Sequence, residues 1–269
     1  MALYDIINEI SAKSITKTET GDTLINGVAL GVVAKNYDRD MPGRICVTIP
    51  TRDKDANEMQ WARIVQSSGG STWGYYFIPE VGDQVMLAFE GGNVEKPYII
   101  GCVPKDNSKF LNDAFDENNQ FKRIVTKNGN TLSFEDNKEG TGENDKIALE
   151  TAGKSLVLRL DNENKTVLLS DKEKENMIQF KTEDGQIDIK AKSKLTVNVG
   201  DSIKITLNGE SGSVIINAES VSITASNQFK MKSDDLIGIE GAQVSANASS
   251  TLKLEGNVVN VGGGTVRLG

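Results

Sequence analysis

The chain has 269 residues, long enough for two domains, and carries 30 Lys+Arg against 38 Asp+Glu, a formal charge of -8. That balance argues against a nucleic-acid binder, which would present a basic face. Apolar residues make up only 38% and aromatic residues 6%, which is thin for a thick globular core, and histidine is absent. Without imidazole there is no Ser-His-Asp or Cys-His nucleophilic system and no His-ligated metal. Cys46 and Cys102 are too few for a disulfide framework and read as small apolar thiols in or near a core. The N-terminus lacks a basic region ahead of a long apolar run, and no stretch is apolar for long enough to span a membrane. The expectation is a soluble protein made in a reducing compartment.

In chain order, Leu3, Ile6, Ile7 and Ile10 form one apolar stripe of a short helix within an N-terminal arm, 1–26. Two readings stand for this helix: it packs on its own domain, or it docks a partner. Residues 27–105 have the texture of a compact all-β domain. "GVALGVVAKN" gives a first strand, and "GRICVTIP" alternates Ile45, Val47 and Ile49 against Arg44, Cys46 and Thr48. "QWARIVQ", "GYYFIPEVGDQVMLAFE" and "KPYIIGCV" supply three or four more. Pro79-Glu80-Val81-Gly82-Asp83 reads as a turn, with φ fixed at Pro79 and free at Gly82. So many short strands in so few residues predict a small closed barrel, the OB type being the commonest. Trp61, Trp73, Tyr75, Tyr76, Phe77, Phe89 and Tyr98 concentrate here, so this segment is expected to hold the one conventional core.

Residues 106–120 are polar and acidic and read as a linker. From 121 to the end, apolar couplets recur with one residue between their members: Leu132/Phe134, Ile147/Leu149, Leu158/Leu160, Val167/Leu169, Ile178/Phe180 and Ile187/Ile189. The series continues through Leu195/Val197, Ile203/Ile205, Val214/Ile216, Val221/Ile223, Phe229/Met231, Ile237/Ile239 and Leu252/Leu254. Counting first members from Ile147, with Leu156 opening the second, the steps run 9, 11, 11, 9 and 8 to Leu195, and mostly 7 or 8 afterwards. Each couplet makes a strand with one apolar and one wet face. Two apolar residues cannot stabilise a strand alone, so many must stack into one continuous core. A single-chain β-solenoid would do this, as would three chains wound into a triangular prism. Near-equivalent segments and small corners favour one strand per step from each of three chains. Gly209, Gly212, Gly241 and Gly256 are the expected corners needing unusual φ.

The segment from "GVVAKNYDRDMPGRICVTIP" through "WARIV" and "GYYFIPEVGDQVMLAFEGGNVEKPYIIGCV" resembles the OB-fold of phage baseplate assembly protein V and of the VgrG spike. The resemblance rests on Gly43, Arg44, Val47 and Pro50, on Trp61-Ala62-Arg63, on Pro79 to Asp83 and on Pro97. "RIVTKNGNTLSFEDN" is similar to the neck that follows in VgrG proteins, with Gly129-Asn130 where those read Gly-His. The resemblance implies an all-β fold: an N-terminal OB barrel followed by an intertwined trimeric β-helical needle over 121–269. It implies a homotrimeric spike of a contractile-tail baseplate, seated under a hub protein and driven through a target envelope. Such a protein is made in the cytoplasm and acts in a phage tail or tail-like particle. No hub domain precedes the barrel, as in the short protein V form, and the linker leaves no room for an inserted lysozyme.

The expected trimer core comprises Leu195, Val197, Ile203, Ile205, Val214, Ile216, Val221, Ile223, Phe229, Met231, Ile237, Ile239, Leu252 and Leu254. Leu3, Ile6, Ile7 and Ile10 are the candidate hub contact. Val266 and Leu268 form a last couplet expected to dock a PAAR-like tip protein, because "GGGTVRLG" lacks ligands for a metal apex. Neither a cofactor nor a catalytic residue is expected. A carbohydrate-active β-helix enzyme would need paired carboxylates beside a cleft with aromatic platforms, and the last seventy residues contain only Phe229. A trimeric fibre or adhesin would share the prism but would normally end in a receptor-binding head.

Overall fold

The computed structural model describes residues 15–17, 23–50 and 59–266. The expected helix at Leu3 to Ile10, and Leu268, lie outside these residues. The chain is all-β, with helix limited among the described residues to one four-residue turn, α1 (Lys109–Asn112), and two short 3-10 turns. It divides into two compact units, Met1–Ser193 and Lys194–Gly269.

In the first unit, β1 (Ile15–Lys17) and β2 (Thr23–Ile25) pair as a small antiparallel ribbon. Five strands follow: β3 (Val28–Lys35), β4 (Arg44–Thr48), β5 (Gln60–Ile64), β6 (Gln84–Phe89) and β7 (Pro97–Cys102). They close a barrel in the order β3-β4-β5-β7-β6, with β6 returning to β3. The β5–β7 pair is parallel and the others are antiparallel, as a five-stranded OB barrel requires. Alternation in each strand sends Val33, Ile45, Val47, Ala62, Val85, Leu87 and Ile99 inward, where they are buried with Ile25, Ile49 and Val94. Gly82 adopts φ 91 in the expected turn, which Asp83 closes by accepting the Glu80 N–H at 2.9 Å.

Two expectations about this domain need correction. The core is aliphatic, whereas Trp73, Tyr75, Tyr76 and Phe77 are exposed and lie outside any strand. Cys46 is buried, and burial pushes its thiol pKa up, but Cys102 is exposed.

Beyond α1, capped by the Ser108 hydroxyl accepting from Leu111 N–H, a seven-stranded antiparallel sheet runs as a meander. Its strands are β8 (Phe121–Val125), β9 (Thr131–Glu135), β10 (Lys146–Glu150), β11 (Leu156–Asp161), β12 (Thr166–Asp171), β13 (Met177–Lys181) and β14 (Gln186–Lys190). In the second unit β15 (Lys194–Val199), β16 (Ile203–Asn208) and β17 (Ser213–Asn217) form a three-stranded antiparallel sheet. From Ala218 to Val266 no residue lies in a strand.

Strands up to Asn217 thus pair with sequence neighbours in their own chain, where the couplet pattern suggests one strand per step from three chains. Turn length is the physical reason. Steps of nine to eleven residues leave four or more for a turn, and Lys165, Lys174 and Gly185 take left-handed conformations that reverse the chain. Of the four glycines expected at corners, only Gly212 has positive φ, at 61°. Gly241 and Gly256 sit in chain that bends without reversing, so ordinary φ suffices there.

Candidate assembly surface

The meander brings its couplets into two unbroken cross-strand ladders on one face. One reads Leu132, Leu149, Leu158, Leu169, Ile178 and Ile189 across β9 to β14. The other reads Phe134, Ile147, Leu160, Val167, Phe180 and Ile187. Ile124 extends the first ladder onto β8. Registered pairs of this kind are the stabilising unit of a sheet. Yet only Leu132 and Val167 are half-buried, and the other ten are exposed.

The opposite face is polar and better covered. Thr131, Ala148 and Ser170 are buried there, being short side chains flanked by long ones such as Lys146, Glu150 and Arg159. A groove of about 660 Å³ on this face is lined by Arg123, Glu135, Lys146, Glu150, Arg159 and Asp161, among others. Its charges are matched locally. Glu150, with its side chain 12% exposed, accepts from Arg159 at 3.0 Å and meets Lys154 at 3.5 Å. Lys146 meets Glu163 at 2.6 Å, and that hydrogen bond raises its pKa. Arg123 lies 3.7 Å from Asp113. The groove therefore offers paired charges that stiffen the sheet rather than a poised nucleophile or acid.

The turns are built from acidic side chains. Asp161 is partly desolvated, which works against its charge, but hydrogen bonds from Asn164 and the Lys146 charge hold its carboxyl below the usual range. Asp171 accepts from the side chain of Asn176 and from the backbone of Glu175 and Asn176, which lowers its pKa likewise.

In the second unit the same division of faces recurs. Leu195, Leu207 and Val214 pair across one row, and Val197, Ile205 and Ile216 across the next. Leu195 and Ile205 are half-buried, whereas Val197, Ile203 and Ile216 are exposed and Val214 is 68% exposed. Thr206, in the middle strand on the wet face, is buried. Every residue from 219 to 266 is exposed, including Val221, Ile223, Phe229, Met231, Ile237, Ile239, Leu252, Leu254 and Val266. So large an apolar exposure marks an interaction surface.

The barrel has its own exposed feature. Ile64 to Pro79 is an uncharged run whose tip folds back through the Tyr75 N–H to Ser68 O bond and the Gly70 N–H to Trp73 O bond. It displays Trp73 and Tyr76 at 65% and 82% exposure. At its foot Glu80 meets Lys127 of the β8–β9 turn at 2.9 Å, tying the barrel to the meander. The Glu90 carboxylate, held below its ordinary pKa by the Tyr98 hydroxyl and Lys96, pins the β6–β7 turn.

Residues 29–103, which contain all five barrel strands, match the family model of the type VI secretion system/phage-baseplate injector OB domain. The barrel is an injector OB domain. No curated protein matches the chain. The injector OB domain explains why Gly43, Arg44, Trp61 to Arg63 and Pro79 to Asp83 occur together: they start β4, form β5 and turn into β6. The family is a structural, baseplate-associated domain. No helix among the described residues is long and apolar enough to cross a membrane.

The structure gathers the candidate core residues Leu195 to Ile216 on one sheet face and leaves those from Val221 onward unpaired. Two features escaped the sequence reading. The charge pairs on the wet face were hidden because their members lie on neighbouring strands, nine to seventeen residues apart. The exposed aromatic loop did carry a signal, the sixteen-residue uncharged run from Ile64 to Pro79 in a chain that is 25% charged.

Proposed function

We propose that this chain is the axial spike of a contractile injection baseplate, acting as a homotrimer that pierces a target envelope. The observation that carries the reading is the coupling of an injector OB domain to two registered apolar ladders that its own chain leaves uncovered. Three copies placing these faces together bury the ladders in a common axis and leave the ion-paired faces outside. Each large aliphatic side chain moved from half-exposed to buried contributes roughly 1 kcal/mol. Closure also removes sheet edges that would otherwise aggregate. The function is mechanical, with no catalytic step. The protein works in a phage tail or tail-like particle, makes transient contact with the envelope and binds no nucleic acid.

In this reading Leu3, Ile6, Ile7 and Ile10 dock a hub protein, and the couplet Val266/Leu268 docks a small PAAR-like tip protein. Deleting residues 2–13 should leave a trimer of unchanged mass that no longer enters particles. Normal incorporation of the deletion variant would remove the hub assignment. For the whole proposal, cryo-electron microscopy of assembled tail tips should show this chain as threefold density on the tail axis. Density off the axis, or in a sixfold ring, would contradict it.

A further inference from the structure

Strand pairing changes character within the second unit. β15, β16 and β17 hydrogen-bond to one another in a single chain, and β17 has a neighbour on one side only. Beyond Asn217 the chain forms no backbone pairing among the described residues, although the alternation of apolar and polar residues continues unbroken. The next couplet, Val221/Ile223, follows after only three linking residues, Ala218 to Ser220. Tight reversal of a strand needs left-handed residues. The last described residue with positive φ is Gly212, so nothing after it turns the chain back onto the open edge of β17.

We propose that strand pairing switches from within the chain to between chains at Asn217 to Val221, and that second and third copies of this chain order residues 219–266. This rests on the trimer reading above and adds where, and in what sequence, the trimer is interwoven. The partner is specified by pattern. Whatever covers the segment must offer extended strands with apolar couplets every seven or eight residues over its whole length, and another copy of the same segment does so in register. Two copies would leave one edge of every strand open, whereas three close the ring of hydrogen bonds. The meander and β15–β17, already paired in the single chain, form first. The final segment zips only once three chains stand together, starting from the open edge of β17.

Hydrogen–deuterium exchange by mass spectrometry on the full chain, with mass checked by light scattering, tests this. In the parent trimer the amides of 219–266 should be protected. A double variant, Leu158→Asp with Ile178→Asp, should be monomeric, with 219–266 exchanging like unstructured peptide while β10 to β13 stay protected. Ile239→Asp should show the reverse dissociation: a trimer with a protected meander and an unprotected final segment. Protection of 219–266 in the monomeric variant would overturn the proposal, as would joint loss of both regions in Ile239→Asp. A double variant that remains a fully protected trimer would also overturn it. A monomeric parent would sink the trimer reading itself, and this inference with it.

Discussion

The barrel and the strands that follow it obey the same alternation, yet only one of them is finished by its own chain. In the barrel, β6 returns to β3, so every inward residue meets others and Val47, Val85, Leu87 and Ile99 are fully buried. In the meander, alternation is as regular and the registry as good, but the sheet does not close, and Leu149, Leu169, Ile187 and Ile189 remain more than half exposed. Closure, rather than apolar content, separates a domain that is stable alone from one whose stability depends on protomer concentration.

The sharpest way to break this contrast is to place a charge on the open face. Ile216→Asp puts three carboxylates together on the proposed axis, at several kcal/mol for each unpaired buried charge. The variant should dissociate at concentrations where the parent is trimeric, with the barrel still folded by near-ultraviolet circular dichroism. An equally stable trimer would show that Ile216 faces water. The complementary change, Leu87→Ala, opens a cavity in the closed core and should cost about 2–5 kcal/mol of barrel stability in urea. It should leave the number of chains per particle unchanged, and a cost below about 1 kcal/mol would mean that the barrel is not the self-sufficient part.

A smaller effect is expected on the ion-paired face. Glu150→Gln removes the carboxylate shared by Arg159 and Lys154 and should destabilise the meander by about 1–2 kcal/mol, while the trimer persists. Loss of the trimer would place Glu150 at the interface instead. The smallest effect is acid sensitivity. Asp161 and Asp171 have folded pKa values below their unfolded ones, so their contribution is present above about pH 4 and lost as pH falls through the lower folded values. Asp171→Asn should flatten the acid limb of the meander's melting temperature. An acid limb identical to the parent's would remove Asp171 from the account.

Much of this was legible in the sequence because period-two alternation is local: Ile45/Val47/Ile49 and the couplets declare their strands and faces at once. The Pro79 to Asp83 turn was equally plain, since Pro and Gly set φ directly. Partner choice was not legible. Whether Leu158 meets Leu169 of its own chain or of another depends on the left-handed turn at Lys165, a conformation that a lysine does not advertise. Trp73 and Tyr76 misled for a related reason: aromatic content suggests a core, but inward space in a five-stranded barrel is filled by aliphatic side chains.

The central claim is that the open ladders are covered by two further copies of the same chain. Native mass spectrometry at low micromolar concentration tests it most directly. The account predicts one dominant species of three times the 29.1 kDa chain mass; a stable, soluble monomer or dimer would contradict it.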